Sequence, residues 1–398
     1  MMKKYLVSLY CLIILQFPLS AQIQSGFSPK EARDMIALSN SFTFLDLYDD
    51  DSDIIPVGYK KEFTSGVFGM DNKYQVYVKG KTGVICFRGS TADQKSWLAN
   101  IESAMIPAQG KIIIQNDVFE YKLAEDTAAA VHSGYVLGLA FLHQSILMQV
   151  KYLNAMGIYD IYLTGHSQGG ALAALLLAYL EGLPSDRIAS HNRFKTYAFA
   201  NPMIGNKAFA KEYNQRFAST YLSFSIINPA DPVPRLPVNY MEEKLFSKEG
   251  ISSLLGDEEG FSTERLLKSA FFQTFEQTAT SYIQSISASA NDRLIKDLGK
   301  VILPAYVNDI NYAVTGNRIQ LRPFDYPKLL KDWAVVNYDS LANVVAKDEN
   351  GYFLDNSLYK KPPMFFQHKP HNYYVGVLKA YFPTEYDALP EKCLPENL

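Results

Sequence analysis

The sequence predicts an α/β protein with a mostly parallel sheet that is covered by helices on both faces. Helical spacing of apolar residues at 134–156 is followed by a short β-branched and aromatic run at 158–163. Two further strand candidates, at 194–201 and 220–228, enclose a helix-like segment. Elements that alternate in this way favour a parallel sheet between two helical layers.

Composition supports a large folded core and gives no reason to expect a nucleic-acid partner. The 398 residues are 48% hydrophobic and 13% aromatic. The 38 basic and 41 acidic residues give a formal charge of −3, so no broad positive field would attract phosphate backbones or anionic lipid. Cys11 lies in the N-terminal apolar run, and Cys86 and Cys393 do not indicate a disulfide framework.

Residues 1–21 are predicted to form a signal peptide. Two lysines precede an apolar run from Tyr5 to Phe17, which is followed by Pro18 and by small residues up to Ala21. The run is shorter than the roughly 20 residues that a membrane-spanning helix needs. We therefore expect cleavage near Ala21 and export of the protein, which would be either secreted or periplasmic.

Two further segments complete the predicted organisation. Residues 71–90 predict a β-hairpin with its turn at Lys79–Gly83. After Pro237 the chain becomes rich in Ser, Glu, Lys and Phe, with helical spacing among several apolar residues. We expect a helical insertion at about 240–330 within a single domain of residues 22–398. The insertion would either add a packing layer or form a cap over a pocket.

The stretch YLTGHSQGGALAALLLAYL at 162–180 places one serine between an apolar strand and a helix. A tight strand-to-helix turn displays such a side chain above the sheet, and Gly165 and Gly169 omit the Cβ atoms that would collide there. The positive end of the following helix favours developing negative charge. The pattern indicates that Ser167 is a nucleophile, since a serine needs a nearby base and prearranged N–H donors to act as one.

The partners of an elbow serine follow it in the order acid, then histidine. Asp231 lies in INPADPVPRLP, directly after a predicted strand, where prolines restrict the loop. Of the downstream histidines, His191 lies in a polar connection, which leaves His368 and His371 in FFQHKPHNYYVGVL. The residues alone leave both of these open.

Six spaced blocks resemble the class 3 lipases, the fungal-type triacylglycerol lipase family of α/β-hydrolases. The blocks are VICFRGS (84–90), SWLANI (96–101), VHSGY (131–135), YLTGHSQGGALA (162–173), FANPMIGN (199–206) and DPVPRLP (231–237). They stand in the family's order over about residues 70–240. The resemblance implies an α/β-hydrolase fold for the whole of 22–398.

The resemblance also implies roles for individual residues. It implies Ser167 as nucleophile, Asp231 as orienting acid, and a histidine followed three positions later by an aromatic residue. His371, with Tyr374 three positions on, matches that pattern better than His368. The resemblance further implies that the backbone N–H groups of Ser90 and Gln168 form the oxyanion hole.

The chain departs from the family in two places. The separation of 140 positions between Asp231 and His371 is far larger than in the compact fungal pattern, and the predicted insertion fills it. The stretch after Ser90 that would hold the family's small lid has no long amphipathic helix. We therefore expect the insertion to cover the acyl pocket instead.

The sequence thus predicts an exported serine hydrolase that cleaves carboxylic esters of lipids, either acylglycerols or phospholipids, through an acyl-enzyme. The alternatives are an esterase or acyltransferase for soluble esters and an inactive lipid-binding homologue. No cofactor is expected, and no metal, because the acidic run at 49–53 has no calcium-loop spacing. The expected partners are an acyl ester substrate and, transiently, a lipid interface.

Overall fold

The computed structural model describes residues 23–91, 100, 103–237, 287–289, 292, 295–296, 299–323, 325–363 and 365–398. The strands are β1 (Lys60–Thr64), β2 (Tyr74–Lys79), β3 (Thr82–Phe87), β4 (Met105–Pro107), β5 (Gln109–Ile114), β6 (Asp117–Lys122), β7 (Ala130–His132), β8 (Asp160–His166), β9 (Arg193–Phe199), β10 (Gly205–Asn206), β11 (Ser223–Ile227), β12 (Val301–Ile302), β13 (Tyr312–Ala313) and β14 (Asn317–Gln320). The α-helices are α1 (Pro29–Tyr48), α2 (Ser133–Ala155), α3 (Gln168–Glu181), α4 (Lys207–Tyr213), α5 (Asp332–Val336), α6 (Tyr338–Val344), α7 (Pro370–Tyr381) and α8 (Pro383–Ala388).

The main sheet has seven strands in the order β1-β2-β3-β8-β9-β11-β14. The first two pairings are antiparallel, and every pairing from β3 to β14 is parallel. The β2–β3 hairpin confirms the hairpin predicted at 71–90. The predicted α/β class with a mostly parallel sheet is confirmed.

The register of the parallel strands brings their carboxyl ends to one edge. Phe87 of β3 pairs with Gly165 of β8, and His166 pairs with Phe199 of β9. Ile226 of β11 is level with the same Phe199. The loops that follow β3, β8 and β11 therefore begin side by side, which is where ligands bind in open α/β sheets.

Helices cover both faces of this sheet, as the alternation along β3 illustrates. Ile85 and Phe87 pack in the core cluster that contains α2 and α3. Val84 and Cys86 point the other way, into the cluster that contains α1 and α7. A strand with apolar side chains on both faces is the pattern of a doubly covered parallel sheet. Helix α2 is long and apolar enough to cross a membrane, but 67% of its apolar window is buried.

Two smaller sheets and one irregular helix complete the described fold. One antiparallel sheet has the order β13-β10-β7-β4, and the other has the order β12-β5-β6. The helix predicted between the strands at 194–201 and 220–228 is α4, which continues as a π-helix at Asn214–Ala218.

The structure differs in part from the prediction of a helical insertion at about 240–330. Residues 240–286 of this range, and the predicted signal peptide at 1–21, lie outside the described residues. The few described residues between 287 and 296 are helical. Residues 299–330, in contrast, contain the strands β12, β13 and β14 and, where described, no α-helix. Strand β14 pairs in parallel with β11, so this part of the range extends the main sheet instead of adding a helical layer.

Candidate active site

Ser167 stands at a sharp turn between β8 and α3. Its backbone has φ 57° and ψ −126°, a conformation that L-residues rarely adopt. Its N–H donates to the carbonyl of Phe199 on the neighbouring strand at 2.8 Å. The turn predicted from the sequence is therefore present, and it is held by a backbone bond across the sheet edge.

Glycines make this turn possible because backbone atoms occupy the space of a side chain. A Cβ on Gly165 would lie 2.5 Å from the carbonyl carbon of Gly169, and one on Gly169 would lie 2.5 Å from the carbonyl oxygen of Phe87. A Cβ on Gly170 would lie 2.9 Å from the side-chain Cβ of Asn201 and 3.1 Å from the backbone carbonyl oxygens of Gly165 and Phe199. Close contact with neighbouring segments thus requires glycine at all three positions.

Asp231 follows β11 in a loop that fixes its carboxylate. The carboxylate is buried, and Oδ1 accepts the N–H of Val233 at 2.9 Å. The guanidinium of Arg235 donates to the carbonyl of Pro229 at 2.5 Å. The guanidinium of Arg318 donates to the carbonyl at position 234, at 3.2 Å. These bonds hold the loop that contains the acid.

A single histidine connects the acid to the serine. The Nε2 atom of His368 lies 2.9 Å from Ser167 Oγ, and Nδ1 lies 2.8 Å from Asp231 Oδ2. Asp231 Oδ2 requires the proton on Nδ1, so the neutral ring presents a basic Nε2 to the serine hydroxyl. Three residues with successive separations of 64 and 137 positions in the sequence therefore form one hydrogen-bonded line.

The choice of His371 over His368 is corrected by this geometry. Proline at position 370 opens α7, so His371 lies in the first turn of that helix. Its ring packs against Phe44 of α1 and Tyr374, and neither ring nitrogen has a hydrogen-bond partner among the described residues. Burial lowers the pKa of His371 to about 4.

His368 ends the short 3₁₀ turn Phe366–His368, just outside the helix, where its ring reaches the sheet edge. The signal in the sequence is Pro370, because proline favours the first helical position. It places His371 inside a helix and His368 in the preceding loop. The family pattern of a histidine followed three positions later by an aromatic residue favours His371 instead.

Tyr373 supports the acid, and the sequence analysis did not identify it. Its hydroxyl donates to Asp231 Oδ2 at 2.7 Å and accepts the N–H of Asn228 at 3.0 Å. Burial, followed by the charge of Asp231, raises the pKa of Tyr373 well above its usual value. The phenol therefore remains a proton donor to the carboxylate at all physiological pH values.

His166 forms a second contact with the histidine loop. Its ring centroid lies 4.7 Å from that of His368 and 5.4 Å from that of Tyr373. Burial, followed by the proximity of His368, lowers the pKa of His166 well below 6.5. A neutral His166 avoids a second positive charge beside an imidazolium on His368.

The two predicted oxyanion residues lie together beside Ser167. The hydroxyl of Ser90 donates to Oε1 of Gln168 at 2.9 Å. A Cβ on Gly89 would lie 2.9 Å from the carbonyl oxygen of His166, so the loop after β3 passes directly over the turn. Gln168 is the first residue of α3, so its N–H lies at the positive end of that helix. The role of both N–H groups as oxyanion donors stays a prediction.

Asp71 stabilises the loop after β3 through two further side chains of that loop. Its carboxylate forms an ion pair with Arg88 at 2.7 Å and accepts the hydroxyl of Thr91 at 2.5 Å. Among the described residues, no group of three His, Cys, Asp or Glu side chains is arranged to hold a metal ion. The site as described thus consists of a serine, a histidine, an acid and their supports.

Comparison with known proteins finds a family match in the central part of the chain. Residues 84–241 match the model of the family Lipase (class 3). The resemblance to the class 3 lipases is therefore confirmed over this segment. The matched segment contains Ser167, Asp231 and both predicted oxyanion residues, and His368 follows beyond its end.

Individual relatives share shorter stretches with this chain. A lipase of Caenorhabditis elegans, ZK262.3, is 37% identical over 79 residues, which are 20% of this chain and 21% of that protein. The secreted mono- and diacylglycerol lipase 1 of Fusarium solani is 28% identical over 141 residues, covering 33% of this chain and 39% of that protein. The chain thus spans between about one fifth and two fifths of the length of these curated relatives.

Solved structures match a larger part of the chain at lower sequence identity. A triacylglycerol lipase described as having a serine protease triad is 23% identical, with a TM-score of 0.40, over 54% of this chain and 77% of that one. A lipase from Rhizopus microsporus var. chinensis is 22% identical, with a TM-score of 0.37, over 55% of this chain and 74% of that one.

Proposed function

We propose that this protein is a serine hydrolase that cleaves carboxylic esters of lipids through an acyl-enzyme on Ser167. The observation that carries the proposal is the hydrogen-bonded line from Ser167 Oγ through His368 to the buried carboxylate of Asp231. This arrangement has the three roles of a catalytic triad in the chain order serine, acid, histidine.

The geometry supports the following sequence of steps. His368 Nε2 takes the Ser167 proton as Oγ attacks the ester carbonyl carbon, and the carbonyl oxygen becomes an oxyanion beside Ser90 and Gln168. Asp231 keeps the proton on Nδ1 and stabilises the imidazolium. His368 then returns its proton to the departing alcohol and later takes one from the water that hydrolyses the acyl-enzyme.

The relatives favour lipid esters as the substrate class. The Fusarium solani relative is named a mono- and diacylglycerol lipase, so acylglycerols are the leading substrates and phospholipids the next. The word "secreted" in that name agrees with the signal peptide predicted at residues 1–21. We therefore place the protein outside the cytoplasm, in the medium or the periplasm.

One surface observation favours a lipid interface over a soluble ester. Of 19 exposed large hydrophobic side chains in the described chain, seven lie between residues 333 and 354. They are Trp333, Val335, Val336, Tyr338, Val344, Tyr352 and Leu354. Exposed apolar side chains in such density mark interaction surfaces.

The chain that contains residues 333–354 leaves the edge of the sheet that carries the triad after β14. Gln320, at the end of β14, is level with Ile227 of β11, four residues before Asp231. The chain then returns to the site at His368. The exposed apolar residues of 333–354 thus lie on a stretch of chain that connects to the site at both ends, which supports the proposal that they contact the lipid.

The test of the central proposal is hydrolysis by the wild type and by Ser167→Ala. The substrates are p-nitrophenyl esters of graded chain length and emulsified glycerides, and labelling by an organophosphonate is measured in parallel. We expect Ser167→Ala to lose about 10⁴-fold or more of its turnover and all labelling. Ser219→Ala, which replaces an exposed serine just after the π-helix, should change neither. Full turnover by Ser167→Ala would refute the mechanism, and unlabelled wild type would indicate the inactive lipid-binding alternative.

The lipid preference has its own test. We expect Val336→Ser to lower turnover of emulsified glyceride several-fold while turnover of a soluble short-chain ester is unchanged, because it removes an apolar contact outside the triad. Val57→Ser is the matched control, since Val57 is similarly exposed, at 94% against 85%, but lies elsewhere. Equal behaviour of both variants on emulsions, or higher wild-type activity on soluble esters, would favour the esterase or acyltransferase alternative.

A further inference from the structure

A line of side-chain hydrogen bonds runs behind the two predicted oxyanion residues. Gln168 Oε1 accepts the hydroxyl of Ser90 at 2.9 Å, and Gln168 Nε2 donates to Asn72 Oδ1 at 3.4 Å. Asn72 Nδ2 in turn donates to the carbonyl oxygen of Phe68 at 3.4 Å. The side chain of Gln168 therefore connects the loop after β3 to the turn that precedes β2.

The direction of these bonds is set at the Phe68 end. A backbone carbonyl can only accept, so Asn72 must turn Nδ2 towards it and Oδ1 towards Gln168. Phe68 cannot move away easily, because its N–H and carbonyl form reciprocal backbone bonds with Asn72 at 2.9 Å. Gln168 must then offer Nε2 to Asn72 and Oε1 to Ser90, which obliges the Ser90 hydroxyl to act as the donor.

The same direction continues on the other side of Ser90. Its oxygen accepts Asn100 Nδ2 at 2.9 Å, and Asn100 Oδ1 accepts the hydroxyl of Tyr135 at 3.0 Å. Every bond from Tyr135 to Phe68 therefore points the same way, and no two donors or two acceptors face each other. Aligned hydrogen bonds polarise and strengthen one another where water is excluded.

Burial restricts the rotation of the two side-chain amides that would exchange their oxygen and nitrogen atoms. Gln168 and Asn72 are 2% and 4% exposed. A Cβ on Gly138 of α2 would lie 3.2 Å from Asn72 Oδ1, so the helix backbone packs directly against this amide. The arrangement is a built-in constraint and not a surface contact.

We propose that the side-chain amide of Gln168 is a positioning group of the oxyanion hole. It acts through the Ser90 hydroxyl and fixes the loop after β3 relative to the first turn of α3, so that the N–H groups of Ser90 and Gln168 converge on one point. This inference rests on the function proposed above. Hydrogen-bond donors that are already in position stabilise an oxyanion more than mobile donors do, because they need no reorganisation when the charge develops.

The first experiment replaces the amide by an apolar side chain of similar length. We expect Gln168→Met to lower kcat on a soluble p-nitrophenyl ester by about 10- to 100-fold, with KM changed less than about threefold, because the transition state alone carries the oxyanion. The rate of labelling by an organophosphonate should fall in parallel. Gln75→Met is the matched control, since Gln75 is a fully buried amide on β2 whose Oε1 accepts the hydroxyls of Ser41 and Tyr77. It should lose stability but keep its kcat.

The second experiment tests the direction of the bonds. In Gln168→Glu an ionised carboxylate accepts the Ser90 hydroxyl but cannot donate to Asn72, whereas the protonated acid can do both. Burial favours the protonated form as the pH falls. The ratio of variant to wild-type kcat should therefore rise several-fold between pH 8 and pH 5, while the ratio for Gln168→Met stays flat. Taking the ratio at each pH removes the pH dependence that both enzymes share.

The outcomes separate this inference from the proposed function. Wild-type kcat in Gln168→Met, or a pH-independent ratio for Gln168→Glu, would overturn the inference while an inactive Ser167→Ala leaves the proposed function standing. Full turnover by Ser167→Ala would overturn the proposed function itself. If Gln168→Met does not fold, Asn72→Asp gives the same test, since the ionised carboxylate of that variant accepts from Gln168 but cannot donate to the carbonyl of Phe68. Its kcat must then recover on acidification.

Discussion

The turn that contains Ser167 and the loop that contains His368 meet at the active site, but different interactions determine their structures. The turn is shaped by backbone contacts, because Gly165, Gly169 and Gly170 each leave no space for a side chain. Its geometry therefore follows from which residues lack a Cβ, and from the strands on either side of it.

The histidine loop is held instead by side-chain hydrogen bonds. The amide of Asn228, just after β11, donates to Gln367 Oε1 at 2.5 Å, and the amide of Asn372 donates to the carbonyl of Phe366. Asn228 is 139 positions away from its partner in the sequence. The comparison teaches that a site can join one half built from local sterics to another built from distant hydrogen bonds.

The strongest test of the histidine half is the pair His368→Ala and His371→Ala. We expect His368→Ala to lose about 10⁴-fold or more in kcat on soluble esters, because it removes the only base in contact with Ser167 Oγ in the described structure. His371→Ala should keep kcat within a few-fold, since its ring packs against Phe44 and neither ring nitrogen has a hydrogen-bond partner among the described residues. Loss of turnover in His371→Ala, with full turnover in His368→Ala, would reverse the assignment.

The strongest test of the serine half is a methyl group at Gly165. We expect Gly165→Ala to lower the free energy of unfolding by more than about 3 kcal/mol, because its Cβ would lie 2.5 Å from two backbone atoms of Gly169. Gly66→Ala is the control, since no atom lies within 4 Å of its added Cβ. Denaturant unfolding measures both, and equal stability of the two variants would contradict the steric origin of the turn.

These two halves also differ in how far the sequence predicts them. The turn at Ser167 depends on contacts among neighbours in sequence and on the adjacent strands, so glycine spacing and strand–helix periodicity are sufficient to predict it. The same local signals predict β2, β3, β8 and β9. Asp231 can be found because it directly follows a strand and is flanked by prolines.

Pro370 separates a loop histidine from a helical one, but local sequence does not show which of the two reaches Ser167, because that depends on packing between distant segments. Helix α7 turns His371 towards α1, and nothing within FFQHKPHNYY specifies that contact. Tyr373, 142 positions from Asp231, escapes the sequence analysis for the same reason. Strand β14 escapes it because four residues with partly exposed side chains give little apolar alternation, and pairing with β11 determines its structure.

Acid sensitivity should sharpen the contrast between the two histidines. Burial lowers the pKa of His371 to about 4 in the fold, against about 6.5 when unfolded, so the unfolded chain binds the extra proton first. The stability that neutral His371 retains at pH 7 is therefore lost as the pH falls from about 6.5 to 4. Between pH 7 and pH 5 the free energy of unfolding should therefore fall by about 2 kcal/mol less in His371→Leu than in the wild type.

Unfolding by denaturant at several pH values measures this difference. His191→Leu is the control, because it removes an exposed histidine by the same substitution. If the free energy of unfolding fell equally with pH in the wild type and in His371→Leu, His371 would not contribute to the acid sensitivity.

The smallest expected effect concerns the bond that joins the acid to the histidine loop. Tyr373→Phe removes the hydroxyl that donates to Asp231 Oδ2 and leaves the buried N–H of Asn228 without that acceptor. We expect a loss of about 1–2 kcal/mol in stability and about tenfold in kcat, because His368 still holds the carboxylate but no longer in a single orientation. Tyr374→Phe, whose ring packs against His371, should leave kcat unchanged. If Tyr373→Phe lost stability but kept full kcat, the hydrogen bonds between distant segments would contribute to folding alone. The catalytic contribution of the histidine half would then come only from the contacts of His368 with Ser167 and Asp231.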